Sequence, residues 1–233
     1  MKALGIVPAR GGSKRLPRKN LRPLGGEPLV AHTLRAASDS DCFNRILLSS
    51  DDAEMLAMAD GFDGVDPWPR EEVLSGDKVT ALTLVESIID TNRFDTEYDV
   101  VALLLPTCPF RSATHVREGF AMLDPSVDGV VSLTTYEFPP QLSVTVGDDD
   151  GLLRGVFDPC PLITGDTRSQ DQATIYRPNG AFYIQWMSKF MVNRNFWKGD
   201  VRGYVMDRAD SVDIDDESDL EYAQFMWDRR ARA

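Results

Sequence analysis

Four short runs of nearly continuous apolar residues mark the first 135 positions: ALGIV at 3–7, RILLSS at 45–50, VVALLL at 100–105 and GVVSLTT at 129–135. Runs of this length, bounded by turn-forming residues, predict strands buried on both faces. Helical periodicity fills the intervals. EPLVAHTLRAA (27–37) puts Pro28 at a first helical position, where its missing N–H goes unneeded. DAEMLAMAD (52–60) and ATHVREGFAMLD (113–124) are amphipathic, and VTALTLVESIID (79–90) sets Val79, Leu82, Val85, Ile88 and Ile89 on one face. This alternation predicts an α/β fold, a mostly parallel sheet with helices on both faces.

The period changes between about 136 and 178. LSVTV and LLRGVF alternate around GDDDG, the pattern of an antiparallel hairpin with a Gly/Asp turn. GAFYIQ and VRGYVM then resume the core pattern, SVDIDD (211–216) reads as a strand-like segment, and a helix from Glu217 to about Arg229 closes the chain. With no repeat or long linker, residues 1–233 read as one domain carrying an inserted hairpin region.

Composition narrows the function. The 233 residues contain no apolar run of 18, and the N-terminus lacks a secretory apolar segment, so a soluble cytoplasmic protein without membrane partners is expected. Cys42, Cys108 and Cys160 form no CxxC pair, and His32 and His115 are the only histidines. A disulfide framework or Cys/His zinc site is thereby excluded, and any metal would be a hard cation on carboxylates. The net charge is −12, from 25 basic and 37 acidic side chains. Residues 1–26 hold seven of the basic ones and no acid, which leaves 18 basic against 37 acidic, or −19, in the rest. Such a chain is a poor partner for nucleic acid, which needs a wide basic surface, and a good one for a small anion at one positive patch.

That patch follows the first predicted strand: Arg10-Gly11-Gly12-Ser13-Lys14-Arg15-Leu16-Pro17-Arg18-Lys19-Asn20. In open α/β sheets ligands bind beyond the strand carboxyl ends, where this loop must lie. Glycines let backbone N–H groups approach a phosphate, Ser13 adds a donor, and Arg10, Lys14 and Lys19 can neutralise a triphosphate and a departing pyrophosphate. A solvated basic turn is the plainer reading, and the position after a buried strand argues against it. The loop is neither GxxxxGK[ST] nor GxGxxG, so P-loop and dinucleotide readings lose their support. In SVDIDD, extended geometry would put Asp213 and Asp215 on one face, able to share Mg²⁺ with substrate phosphates. Equally, Asp215 or Asp216 could cap the last helix, with Glu217 and Asp219 complementing its dipole.

The loop IVPARGGSKRLPRKNLRPLGGEPLVAHTL resembles the opening motif of the acylneuraminate cytidylyltransferases, the CMP-nonulosonate synthetases. SSD at 49–51, Arg70 and 74–77, LLLPTCPFR at 103–111, RPNGAFYI at 177–184 and DSVDIDDESDLEYA at 210–223 resemble its later segments in the same order. The resemblance implies a Rossmann-like nucleotidyltransferase fold with a small dimerisation subdomain, here the hairpin region, and a homodimer. It implies transfer of CMP from CTP to the anomeric hydroxyl of a nonulosonic acid with release of pyrophosphate, making an activated sugar for surface glycans. Arg10, Gly11, Gly12, Ser13, Lys14, Lys19, Asn20, Arg70 and Asp77 would bind the nucleotide, with Ser75 nearby. Arg10, Lys19, Asp213 and Asp215 would carry catalysis, the two aspartates holding Mg²⁺. The acceptor is a carboxylated sugar in this family, so Thr107, Arg111, Arg168, Gln170 and Arg177 would meet it, surface ion pairs being the alternative for at least one arginine.

Two positions depart from the pattern. Leu105 stands where sialate-type enzymes carry a glutamine, and Gln141 lies near a usual lysine. TRSQD is closer to the pseudaminate branch and RPNGAFYI to the sialate branch. The acceptor thus stays open among nonulosonic acids, with cytidylyl transfer to Kdo, or a nucleotide-binding homologue without turnover, as alternatives. Neither the GGxGTRL loop of sugar-1-phosphate nucleotidyltransferases nor the mid-chain DxD of GT-A glycosyltransferases is present. Cys108 lacks a His/Asp pair that would make it a nucleophile.

Overall fold

The computed structural model describes residues 1–74, 76 and 79–232. In chain order its elements begin with β1 (Ala3–Pro8), the two-residue strands β2 (Pro23–Leu24) and β3 (Glu27–Pro28), α1 (Leu29–Ser38), β4 (Arg45–Ser50), α2 (Ala53–Ala57) and β5 (Val65–Pro69). They continue with α3 (Ala81–Asn92), β6 (Val100–Leu103), α4 (Ala113–Ala121) and β7 (Gly129–Thr135). After β8 (Val144–Val146), β9 (Leu153–Gly155) and the single turn α5 (Pro161–Thr164) come β10 (Tyr176–Trp186), α6 (Met187–Asn193), β11 (Val201–Val205) and α7 (Glu217–Ala231).

Among the described residues seven strands form the main sheet, in the order β11-β7-β10-β6-β1-β4-β5. All neighbours run parallel except β10, which is antiparallel to both β6 and β7. Strand alternation divides the core as expected for a sheet covered on both sides. Ala3 and Val7 of β1, with Val100 and Ala102 of β6, face α1 and α4 through Val30, Leu34 and Val116. Leu4, Ile6, Val101 and Leu103 face α3 and α6 through Val85, Ile89 and Phe190.

Two helix starts differ from the expectation. The β2–β3 hairpin, turned by Gly25 and Gly26 at φ +60° and +89°, runs through Pro28, whose extended ψ of 142° keeps it outside α1. The hydroxyl of Thr80 accepts from the Thr83 amide, so α3 begins at Ala81 and Val79 precedes it. Its buried face is Leu84, Val85, Ile88 and Ile89, with Leu82 half-buried.

β10 shifts register against β7 between Pro178 and Tyr183. The Ser132 hydroxyl fills the gap, donating to the Phe182 carbonyl (3.0 Å) and accepting from the Phe182 amide (2.9 Å). Buried Asn179 donates to the Ser211 hydroxyl at 2.9 Å, tying the bulge to the segment before α7. A third apolar cluster then joins Leu16 of the basic loop to Leu24, Phe110, Ile214 and Leu220. Trp227 of α7 packs against it and occupies the space a side chain at Gly25 would need. The hairpin region matches expectation: β8 and β9 pair antiparallel, Val146 opposite Leu153.

His32 lies buried in α1, its Nε2–H donating to the Leu24 carbonyl at 3.0 Å and its ring edge-on to Trp227. Burial pushes its pKa below the ordinary 6.5, against smaller upward pulls from the Leu24 bond and Glu27. The fold therefore disfavours the imidazolium: its stability contribution is complete above 6.5 and lost as pH falls below it. Urea unfolding should show stability declining as pH falls below about 6.5, with a shallower slope in His32→Gln. An unchanged slope in that variant assigns the loss to another group.

Candidate active site

The carboxyl ends of β1, β5 and β6 open on a cleft of about 520 Å³. One wall carries Arg10, Ser13, Lys14 and Lys19, the facing wall Val79, Ala81 and Leu84, and the floor Leu105, Thr107 and Asp215. The loop making the first wall is held by its backbone. The Ala9 amide donates to the Ser49 carbonyl at 2.9 Å and the Gly11 amide to Asp51 Oδ1 at 2.7 Å. Gly11 runs so close to β4's exit that a Cβ there would lie 3.2 Å from the Asp52 side chain, while nothing stands within 4 Å of a Cβ at Gly12. Asn20 is buried and its side-chain amide donates to the Arg10 carbonyl at 3.1 Å, closing the loop on itself. Arg18, at φ +53°, turns outward to Asp52 and Glu54.

Lys19 connects this loop to the aspartates. Its ammonium donates to the Ile214 carbonyl at 2.8 Å and to Asp215 Oδ1 at 3.0 Å, and Arg15 pairs with Asp215 Oδ2 at 3.0 Å. Residues 211–216 are not a strand, contrary to the sequence reading. The alternation survives without a sheet partner because the Ile214 amide donates to the Thr107 carbonyl at 2.9 Å and the Ile214 side chain is fully buried. The two carboxylates meet different surroundings. Asp215 lines the main cleft, whereas Asp213 lines a neighbouring one with Arg177 and Arg208. Burial raises the Asp213 carboxyl above its ordinary value, helped by the charge of Asp215 and opposed by the Thr107 hydroxyl bond. At Asp215 burial pushes the same way, but Lys19 and Arg15 together outweigh it and hold that carboxyl low.

Helix capping falls to Asp216, which resolves the open choice. Asp216 Oδ1 accepts from the Asp219 amide at 3.1 Å, and Asp219 Oδ2 accepts from the amides of Asp215 and Asp216 at 2.9 and 3.0 Å. The carboxylates of Asp213 and Asp215 are left for other partners.

The remaining candidates separate. Arg70 lines the main cleft, donating to the Ser49 carbonyl at 3.0 Å, and burial lowers its pKa. Ser75 and Asp77 lie outside the described residues. Arg111 is buried: it donates to the carbonyls of Leu105 (3.2 Å) and Ala181 (2.5 Å), tying the 105–111 loop to β10, and burial lowers its pKa to about 10. It lines neither cleft. Arg168 pairs with Asp171 at 3.0 Å on the surface, and Gln170 borders a depression of the hairpin region, both apart from the main cleft. Cys108 is buried and its thiol pushed up to about 12, the state of a packing residue. Sequence reasoning gave no role to Asp51, Arg15, Glu137 or Arg208. Arg15 was signalled by its place in the basic loop and Asp51 by the SSD motif at 49–51; Glu137 and Arg208 depend on distant segments meeting.

A basic glycine loop after the first strand of a mostly parallel sheet, facing aspartates before the last helix, defines a nucleotidyltransferase fold. Two solved structures share it: CMP:2-keto-3-deoxy-manno-octonic acid synthetase complexed with CTP (TM-score 0.69, 16% identity, 99% of this chain and 100% of that one), and 4-diphosphocytidyl-2C-methyl-D-erythritol synthase from Anaerococcus prevotii (TM-score 0.67, 13% identity, 98% and 96%). At those identities the likeness is one of fold. A family model described as cytidylyltransferase matches residues 4–91. The chain is 30% identical over 218 residues to a CMP-N,N'-diacetyllegionaminic acid synthase of Legionella pneumophila, covering 92% of this chain and 91% of that protein. It is 30% identical over 229 residues to a pseudaminic acid cytidylyltransferase of Campylobacter jejuni, covering 97% of each. An N-acylneuraminate cytidylyltransferase of Escherichia coli is 31% identical over 233 residues, 99% of this chain and 53% of that longer protein. The chain belongs to the cytidylyltransferase family, and it is an enzyme of the nucleotidyltransferase class.

Because Lys19 bonds both the Ile214 carbonyl and Asp215, Lys19→Met should loosen the 211–216 segment. Hydrogen exchange should report faster exchange at the Ile214 and Asp215 amides while the β1 amides stay protected. Equal protection in variant and parent would mean that Leu16 and Ile214 packing suffices.

Proposed function

We propose that the protein transfers CMP from CTP to the anomeric hydroxyl of a nonulosonic acid, releasing pyrophosphate. The observation that carries this is the convergence at Lys19, which brings a triphosphate-sized basic loop and Asp215 to one cleft, with Asp213 lining the cleft beside it. Relatives named for legionaminic, pseudaminic and N-acylneuraminic acids stand at nearly equal identity, which supports the class of acceptor without choosing its member.

The residues divide the work. Arg10, Ser13 and Lys14 line the cleft where a triphosphate would lie, and Gly12 leaves open space beside the backbone there. Arg70 and the apolar wall at Val79, Ala81 and Leu84 suit a planar base. As the oxygen–phosphorus bond forms and the hydroxyl proton leaves, negative charge grows on the departing pyrophosphate, where fixed cations act at the transition state. No covalent enzyme intermediate is needed; positioning and charge suffice.

Asp213 and Asp215 fit a divalent cation. They supply hard oxygen donors, and the Asp213 carboxyl is raised first by burial and then by the charge of Asp215. Among the described residues no three His, Cys, Asp or Glu side chains form a cage, so phosphate or water would complete the ligand set. Mg²⁺ held there would draw charge from the transferring phosphoryl group. A reducing compartment suits the three free cysteines, and the cytoplasm is the proposed location. Among the described residues no helix is long and apolar enough to cross a membrane.

The test is pyrophosphate release with CTP and Mg²⁺ against N-acetylneuraminate, pseudaminate, legionaminate and Kdo, with ATP, GTP and UTP as controls. Release with CTP and one nonulosonate is expected, and Asp213→Ala and Asp215→Ala should each abolish it. Release with Kdo alone would move the acceptor to another class; parental rates in both variants would sink the metal assignment.

We further propose that the hairpin region mediates a homodimer. Val146 and Leu153 face each other across β8 and β9, 62% and 68% exposed, with Val156 and Ile163 also open. A lone two-stranded hairpin is marginal in water, and a second copy would cover this apolar face. Sedimentation should give a dimer for the parent and a monomer for Val146→Asp/Leu153→Asp; a parent monomer refutes it.

A further inference from the structure

We propose that Arg177 and Arg208 form a two-arginine seat for the acceptor's carboxylate, and that in the free protein the Glu137 side chain holds this seat until the acceptor displaces it. The inference rests on the acceptor class proposed above. In a 2-keto acid sugar the anomeric carbon carries both the attacking hydroxyl and the carboxylate. Wherever the hydroxyl is presented beside the aspartates, the carboxylate must lie immediately next to it. On the phosphate side, Lys19 and Arg15 are already committed to Asp215. On the other side of the pair a second cleft, of about 350 Å³, contains Asp213, Arg177, Arg208 and Glu137. Arg177 is near enough for its charge to act on the Asp213 carboxyl.

That seat already holds a carboxylate oxygen. Glu137 Oε1 lies 3.3 Å from Arg177 Nη2 and 3.7 Å from Arg208 Nη2, one oxygen shared by two guanidinia. Both distances exceed the roughly 2.7–2.9 Å of a good charge-assisted bond, so the internal occupant leaves the forks poorly used. Glu137 stands just beyond β7 with a 60% exposed side chain, within reach of water. Its own hydrogen bond, then the charges of Arg177 and Arg208, hold its carboxyl below the ordinary range, so it competes as an anion. The other two arginines considered from sequence are elsewhere: Arg111 is buried under the 105–111 loop, and Arg168 is paired with Asp171.

Isothermal titration of the four acids tests this without turnover, using the parent, Arg208→Ala, Arg208→Lys and Glu137→Gln. The methyl ester of the best acid serves as the neutral probe. Arg208→Ala should weaken the acid roughly 10–100-fold and the ester little, since one charged hydrogen-bonding partner is lost. Arg208→Lys, which keeps charge without the fork, should fall between. Glu137→Gln should tighten the acid by roughly threefold or more, because its competitor has gone. CTP binding in each variant checks the fold. Acid affinity unchanged in Arg208→Ala, weaker binding in Glu137→Gln, or no binding of any acid to the parent with CTP present and Mg²⁺ withheld each overturns the seat. An acid that binds as expected while pyrophosphate is never released would instead refute the transferase reading and leave the seat standing.

Discussion

The ammonium of Lys19 sits between the Ile214 carbonyl and the Asp215 carboxylate, joining positions almost 200 residues apart in the chain. Its side chain is only 12% exposed, so without those acceptors it would be a poorly solvated charge, which a fold does not retain. The pairing in turn needs both segments held still. Leu16, three residues before Lys19, and Ile214, one before Asp215, are buried in the same cluster against α7. Apolar contact brings the two stretches together, and the lysine sets their registration. Asn20 and Asp51 then shape the loop from within, through the Arg10 carbonyl and the Gly11 amide.

This arrangement explains how a chain with a net charge of −12 keeps a small cationic site. The basic residues of the loop do not form a uniform patch. Arg18 is drawn outward by Asp52 and Glu54, and Arg22 by Glu217, while Arg15 and Lys19 are turned onto Asp215. The two aspartates are driven apart in acidity by the same geometry: cations keep Asp215 ionised, and burial raises Asp213. Neighbouring carboxylates with unlike environments can take unlike tasks, and such divergence is common where charge is handled during reaction.

How much of this was legible in the sequence depended on range. Strands β4 and β7 match the apolar runs at 45–50 and 129–135 to the residue, because a continuously buried strand writes itself as a continuous run. The hairpin was legible from GDDDG, a local turn signal. Where one hydroxyl or one ring fixed a boundary, as Thr80 does for α3 and Pro28 for α1, periodicity alone missed by one or two residues. The 211–216 segment reads as a strand because its inward and outward residues alternate, yet its partner is a single loop carbonyl at Thr107. The loop, Lys19, Arg70 and Asp215, which line the main cleft, were all legible, as was Asp213, which lines the cleft beside it. The burial of Arg111 and the meeting of Glu137 with Arg208 were not, since both follow from where β10, β7 and the pre-α7 segment pass one another.

Leu105 is where fold and specificity meet. Its amide donates to the Gly180 carbonyl at 3.2 Å, and its side chain lies 3.3 Å from where a Cβ at Gly180 would stand. Gly180 has φ +74°, a conformation the bulge of β10 requires and a side chain would strain. The floor of the cleft is therefore fixed by backbone geometry and is apolar at this point. A polar acceptor group directed at Leu105 would lose water and gain no side-chain hydrogen bond, a cost of about 1–3 kcal/mol, whereas a methyl or methylene would lose nothing. A site built this way selects by what it declines to bind. In the proposed reaction, the charged end of the acceptor would then supply the affinity, and the apolar floor would sort among acids that all carry that charge.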